Sequence, residues 1–224
     1  MQESKKIPAE MIDDMKLPFE KMGRNDASWT ELFGKDYSVA NISTMENDVE
    51  KYLLDNSVPK ALASTRIMKL VMLPSVEIKM RRCYEVYKGI MQKRVGDYYE
   101  FSDQYAVMRI TWNAIKDIVR IPKNESGIQP NVIHKFKFVE FLRIKKIFEY
   151  FEEAQIPAWS LEMALEQISG NDGTTYHLSF GDDYWHSVTY SWWTELPEQW
   201  TNLDKATHSA MGYIDQLLDN NKND

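Results

Sequence analysis

Apolar residues recur with a helical period over most of the chain between residues 44 and 170. At Ser43 a capping-box pattern, completed by Glu46, precedes apolar residues at helical spacing and predicts a helix over 44–56. Apolar spacing, proline and glycine positions and N-cap residues predict five further helices, over 59–73, 75–95, 102–121, 131–153 and 157–170. This stretch is therefore expected to form a helical body.

The two ends of the chain have a different pattern. The first 40 residues show no sustained period, so we expect an irregular arm with at most one short helix around 8–15. After the turn at 171–173 the period changes to 2, which indicates a β-hairpin. A loop at 181–183 would put the even-numbered residues of both strands on one face, the register that buries most apolar surface. Thr194 is then placed to cap a closing helix.

These elements predict an α+β protein that is mostly helical, with a helical body, a C-terminal antiparallel β-hairpin and a closing helix. We expect three segments packed as one domain: an irregular arm at 1–43, the helical body at 44–170, and the hairpin with the C-terminal helix at 171–224. Because two strands alone are marginally stable, the hairpin must pack on helices or pair with a strand in the arm.

Composition places the chain among ordinary globular proteins and points to a reducing compartment. Its 224 residues are 43% hydrophobic, which is enough to bury a core. Cys83 is the only cysteine, so an intrachain disulfide and a multi-cysteine metal site are excluded. No secretory signal follows the N-terminal lysines, and no apolar run approaches the roughly 20 residues that span a bilayer. We expect a cytoplasmic protein without a membrane partner.

Charge is distributed unevenly along the chain. The net charge is −7, but residues 60–94 carry +7 and residues 151–224 carry −11. Four of the seven tryptophans lie in the acidic segment, between Trp185 and Trp200, where there is no lysine or arginine. Trp185 and Trp193 fall on the odd-numbered hairpin face beside Ser and Thr, a composition typical of a half-exposed surface with aromatic anchors.

The leading hypothesis from this pattern is a small acidic protein that binds a basic protein partner. An inhibitor, immunity protein or antitoxin that covers a basic site would use such a surface, because acid speeds association and tryptophan supplies binding energy. The candidate partner-binding residues are Trp185, Trp193, Asp182, Asp183, Glu195 and Glu198.

Two alternatives remain open. Basic residues on the predicted helices could bind nucleic acid or another phosphate ligand, although a net acidic chain weakens steering toward a polyanion. The candidate phosphate-binding residues are Lys79, Arg81, Arg82, Lys88, Lys135 and Lys145. The chain could also be an enzyme whose site assembles from distant residues, since no local catalytic motif is present.

No catalytic residue, cofactor or metal ligand is nominated. Cys83 lies in an apolar stripe, which favours a buried structural thiol. His177 and His186 flank the hairpin loop but fall on opposite faces in the expected register, and Asp204 with His208 is explained by ordinary i,i+4 pairing. The acidic residues near 150 lack the histidine that a di-iron bundle requires.

Overall fold

A computed structural model of the protein describes residues 7–8, 37, 42–54, 64–75, 80–96, 98–120, 129–155, 173–182, 186–194 and 198–219. In chain order the elements are β1 (Ile7–Pro8), α1 (Ile42–Leu54), β2 (Ser64–Pro74), β3 (Arg81–Val95), β4 (Tyr98–Trp112), α2 (Ala114–Arg120), β5 (Val132–Val139), α3 (Phe141–Ala154), β6 (Thr174–Asp182), β7 (His186–Trp193), a 3₁₀ turn (Glu198–Trp200) and α4 (Thr201–Asp219).

An antiparallel sheet organises the described part of the chain. Its strand order is β5–β4–β3–β2–β6–β7, and the two-residue β1 pairs with the start of β4. Strands β2 to β5 form a meander, and β6 then returns to pair with the open side of β2. The β3–β4 turn passes through Gly96, whose φ of 64° is a left-handed conformation that glycine adopts without strain. The hairpin therefore lies at one end of a larger sheet.

The prediction of a mostly helical protein is wrong, because four strands occupy more than half of the described residues of the predicted helical body. The segments predicted as helices over 59–73, 75–95 and 102–121 contain β2, β3 and β4, and the first half of the predicted helix 131–153 is β5. The physical reason is burial on both faces. Central strands covered on both sides lose the apolar–polar alternation that identifies a strand in sequence.

Helices cover the two faces of the sheet and create two hydrophobic cores. Helices α3 and α4 pack on the face of the sheet that carries the even-numbered residues of β6 and β7, and α4 lies closest to β4 and β5. The core on this face includes Leu178, Ile147 and Ile214. Helix α1 packs on the opposite face over β2 and β3, with Met45, Val49 and Leu53 buried. This second cover lies over the strands in the middle of the sheet, which determines what is left exposed at its β7 end.

The predictions for the first helix and for the C-terminal end of the chain agree better with the structure, whereas most of the predicted N-terminal arm, including 9–15 of the short helix around 8–15, lies outside the described residues. Helix α1 begins and ends two residues before its predicted bounds, and both the hairpin and the closing helix are present. The even-numbered hairpin residues share a face as expected, but the loop predicted at 181–183 is wrong. Gly181 and Asp182 pair with Ser187 and His186, so the loop follows Asp182 and each residue of β6 lies opposite a β7 residue four positions later than expected. Helix α4 begins at Thr201 rather than after Thr194. The predicted helix 157–170 lies outside the described residues.

Candidate protein-binding surface

The two faces of the β6–β7 hairpin differ sharply in burial. On the even-numbered face Tyr176 and Trp192 stack at 5.2 Å between ring centroids and are buried under α4. On the odd-numbered face of β7, Ser187, Thr189 and Ser191 are exposed. We call this odd-numbered side of β6 and β7 the outer hairpin face. Its exposed residues on β7 all carry hydroxyl groups.

Polar pairs across the two strands order the outer hairpin face. The Ser191 hydroxyl is 2.8 Å from Nδ1 of His177, and the hydroxyls of Ser179 and Thr189 are 3.1 Å apart. Burial and the positive charge of Lys69 lower the pKa of His177, so this imidazole is neutral at pH 7. The face is therefore a set of neutral donors and acceptors held in position by the sheet.

Trp193 is half-buried at the end of the outer hairpin face. Its ring lies so close to Gly173 that a side chain at position 173 would collide with it. The Thr194 hydroxyl accepts the backbone N–H of Thr174, and Thr194 N–H donates to Thr174 O at 2.9 Å. The Trp193 ring thus packs against Gly173, and the hydrogen bonds between Thr174 and Thr194 fix the end of β7 beside it.

The other predicted partner-binding residues are acidic, apart from Trp185. Glu198 is exposed in the 3₁₀ turn, and Asp182 is the last residue of β6. Trp185, Asp183 and Glu195 lie outside the described residues. Between residues 171 and 204 the sequence has six acidic residues and neither lysine nor arginine. The sequence around the outer hairpin face is therefore acidic.

Three of the basic residues in the middle of the chain form ion pairs with the acidic C-terminal helix. Arg109 binds Asp215 at 2.5 Å and Asp219 at 3.1 Å, and Lys135 binds Asp219 at 2.6 Å. Arg82 lies 3.7 Å from Asp215. The hydrogen bonds from Arg109 and Lys135 lower the pKa of Asp219 to about 2. The basic strands thus neutralise α4 within the same molecule.

The candidate phosphate-binding residues were predicted on two helices, but Arg81, Arg82 and Lys88 lie on β3 and Lys135 on β5, and only Lys145 is helical among those described. Lys79 is outside the described residues. Arg81 is buried, binds Glu50 at 2.7 Å and Glu46 at 3.5 Å, and lies over the Trp112 ring. Every described member has a carboxylate within 3.7 Å: Arg81 with Glu46 and Glu50, Arg82 with Asp215, Lys88 with Asp103, Lys135 with Asp219, and Lys145 with Glu149.

A buried polar cluster lies beneath α1, in the middle of the sheet. The Glu85 carboxylate is fully buried and contacts Arg66 at 3.3 Å, Lys69 at 3.6 Å and the Tyr87 hydroxyl. Lys69 also donates to Leu54 O, at the C-terminus of α1, at 2.9 Å. Since a cation at this end of a helix complements its dipole, the cluster attaches α1 to the sheet.

The thiol and imidazole groups whose side chains the structure describes are buried or hydrogen-bonded to neighbouring side chains. Cys83 is fully buried, as expected from its apolar neighbours, and burial raises the pKa of its thiol. Tyr52 bonds Nε2 of His134 at 2.9 Å, and burial lowers the pKa of this histidine. Within the part of the chain that the structure describes, no three His, Cys, Asp or Glu side chains could hold a metal together.

Comparison with family models, curated proteins and solved structures gave no match to this chain. The helices described above also include none with the length and apolar content needed to cross a bilayer. The features that sequence reasoning missed are His177 and Ser179, which support the exposed hydroxyls from β6. The available signal was that these two polar residues are two positions apart in a strand, which places them on the same face as the exposed hydroxyls.

Proposed function

We propose that this protein binds another protein through the outer hairpin face, and that the partner is basic where it makes contact. An inhibitor, immunity protein or antitoxin that covers a basic site is a protein of this kind. The observation that supports the proposal best is the exposure of Ser187, Thr189 and Ser191 beside the half-buried Trp193. Helix α1 packs over β2 and β3, and this end of the sheet extends beyond it.

The chemistry of this face suits a non-obligate protein interface. Such interfaces combine aromatic anchors with neighbouring polar groups that exclude water around them. Here Trp193 is the anchor, and the hydroxyls of Thr189 and Ser191 are already paired across the strands, so little side-chain entropy is lost on binding.

Charge supports a basic partner. Asp215 and Asp219 of α4 form ion pairs with Arg109 in the same molecule. Glu198, in contrast, is exposed and has no ion pair among the described residues. An acidic border attracts a basic partner over several ångströms and raises the association rate, an effect that salt screens. Binding should therefore weaken as ionic strength rises.

The test uses a photo-reactive amino acid in place of Thr189 and, as a control, in place of Tyr98. Tyr98 is also on a strand and is 53% exposed, but it lies at the β3–β4 turn. When the protein is cross-linked in its native cells, we expect a basic partner protein to become attached at position 189 and not at position 98. Equal adducts at both positions would contradict the proposal.

The partner identified in this way allows a quantitative check. Trp193→Ala should lower its affinity by at least about 30-fold, as expected for truncation of an aromatic anchor, and Tyr98→Ala should leave it unchanged. Affinity is to be measured well below the melting temperature of each variant, because Trp193 also packs on Gly173. An unchanged affinity for Trp193→Ala would exclude this face as the binding surface.

A further inference from the structure

Strand β7 is at the edge of the sheet. Its inner side pairs with β6 from His186 to Trp193, and no described residue pairs with its outer side. An edge strand presents unpaired backbone N–H and C=O groups, which form a template for another strand.

Two backbone hydrogen bonds establish the direction of these groups. Thr194 N–H donates to Thr174 O at 2.9 Å, so these two opposite residues form a hydrogen-bonded pair. Because such pairs alternate along an antiparallel ladder, the even-numbered residues of β7 bond to β6. Ser75 N–H donates to Gly173 O at 2.8 Å, which places the odd-numbered groups of β6 toward β2 and agrees with this assignment. The backbone groups of Ser187, Thr189 and Ser191 therefore point away from the sheet.

The two edges of the sheet differ in protection. Strand β5, at the opposite edge, carries Lys135 and Lys137, and lysine on an edge strand discourages pairing with other chains. Strand β7 contains no lysine, arginine or proline, and its register with β6 has no bulge. Val188 on this strand is 53% exposed. Strand β7 thus lacks, within its own sequence, the features that block strand addition.

We propose that an extended segment of the partner adds to β7 as a further strand, with uncharged residues along β7 and lysine or arginine at its ends. This inference rests on the proposed function and specifies its binding mode. Backbone hydrogen bonds to Ser187, Thr189 and Ser191 supply affinity, and contacts with the outer hairpin face and Val188 supply specificity. The basic ends meet the acidic residues that flank β7 in the sequence.

The same charges disfavour a second copy of this chain as the occupant. In an antiparallel pairing of two β7 strands centred on Thr189, the acidic 182–183 end of one copy would lie beside the acidic 195–198 end of the other. Like charges placed opposite each other are destabilising, and the whole chain carries −7. The acidic residues at both ends of β7 would therefore attract a basic segment and repel a second copy of this chain.

The test compares Thr189→Pro with Thr189→Ala. Proline removes the outward N–H of residue 189 and adds a bulky ring at the edge, but it leaves the bonds between β7 and β6 in place. Alanine keeps the outward N–H. Far-ultraviolet circular dichroism and melting curves show whether both variants fold, and Ser187→Pro serves as a second edge variant at a different outward position.

The probe is a random library of twelve-residue peptides displayed on phage, selected on the wild-type protein. We expect proline-free peptides with basic ends that bind Thr189→Pro at least about 30-fold more weakly and bind Thr189→Ala within about 3-fold of wild type. In hydrogen exchange, the amides of Ser187, Thr189 and Ser191 should exchange fast in the free protein and become protected in the complex.

Different failures have different meanings. If no peptide is enriched, or if the enriched peptides bind folded Thr189→Pro and Ser187→Pro as tightly as wild type, strand addition is wrong. The proposed function survives that result if the cross-linked partner still loses affinity for Trp193→Ala. Enrichment of acidic peptides would overturn the assigned partner chemistry. Dimerisation of the wild type through protected odd-numbered amides would show that a second copy is the occupant.

Discussion

Removal of the Glu85 carboxylate is predicted to destabilise the protein strongly, because this group is the common contact of a buried cluster. Glu85 is fully buried and contacts two cations, Arg66 and Lys69, and the Tyr87 hydroxyl. Glu85→Ala deletes the negative charge and leaves both cations in a poorly solvated region. Breaking a buried ion pair in this way typically costs about 3–5 kcal/mol.

The matched control is an exposed ion pair on the same sheet. Lys88 and Asp103 lie 3.0 Å apart, with side chains 45% and 53% exposed. Asp103→Ala should cost no more than about 1 kcal/mol, because water and salt already screen this pair. The contrast between Glu85→Ala and Asp103→Ala therefore compares loss of a buried carboxylate that joins several partners with loss of an exposed carboxylate that has one ion pair.

Urea denaturation followed by circular dichroism measures both free energies of unfolding. Since typical domains are stable by about 5–15 kcal/mol, Glu85→Ala should lose a large fraction of the total and melt roughly 10 °C or more below wild type. Glu85→Gln keeps the shape and an acceptor for Tyr87, so its loss should be smaller. Equal losses for Glu85→Ala and Asp103→Ala, with unchanged slopes in urea, would refute the reasoning.

Two further predictions concern α4 and the hairpin end. Asp219→Asn should lower the free energy of unfolding by less than about 1 kcal/mol at pH 7, because the group is half exposed. The pKa of Asp219 is lowered to about 2 by its hydrogen bonds, first of all from Arg109, so its stabilisation is present above pH 4 and is lost as the pH falls toward 2. Acid titration of both proteins should show the difference vanish over that range, and a constant difference would contradict the assignment. Gly173→Ala should cost about 1–3 kcal/mol because the new methyl group displaces the Trp193 ring, whereas Gly212→Ala, which meets no atom within 4 Å in α4, should stabilise by about 0.5–1 kcal/mol. Thermal melts compare the two, and a neutral Gly173→Ala would exclude the close contact.

The sequence predicted the elements that are buried on one side only. Helix α1 and the β6–β7 hairpin each have one covered and one open face, so their apolar residues keep a clean period. The exposure of Ser187, Thr189 and Ser191 followed from the same alternation. Where one face determines the pattern, local sequence is sufficient.

Strand β3 shows why the middle of the chain was misassigned. Tyr84 and Val86 face α3 and α4, while Cys83, Glu85 and Tyr87 face the opposite side, and all five are buried. Apolar residues on both sides gave no alternation, and a buried glutamate looked like a solvent-exposed position. Gly96 followed by Asp97 between the two runs was a hairpin signal that we read as a helix C-terminus.

The candidate site was only partly accessible from the sequence, because it depends on long-range pairing. The open edge of β7 exists because β6 pairs with β2, and no local pattern specifies that pairing. Asp219 likewise forms ion pairs with Arg109 and Lys135, which are 84 or more positions away in the sequence. Net charge by segment therefore overstated how much of the basic and acidic surface is free.

The pairing of β6 with β2 also has a consequence for synthesis on the ribosome. During synthesis, β3 follows β2 closely and can pair with one side of it early. The other side pairs with β6, in which Phe180, the partner of Met68, is synthesised about 110 residues later. At roughly 5–20 residues per second, the unpaired side of β2 is exposed for about 6–20 s. That side belongs to a strand rich in Ile, Met, Leu and Val, so nascent chains in this interval are the form of the protein most prone to aggregate and most in need of a chaperone.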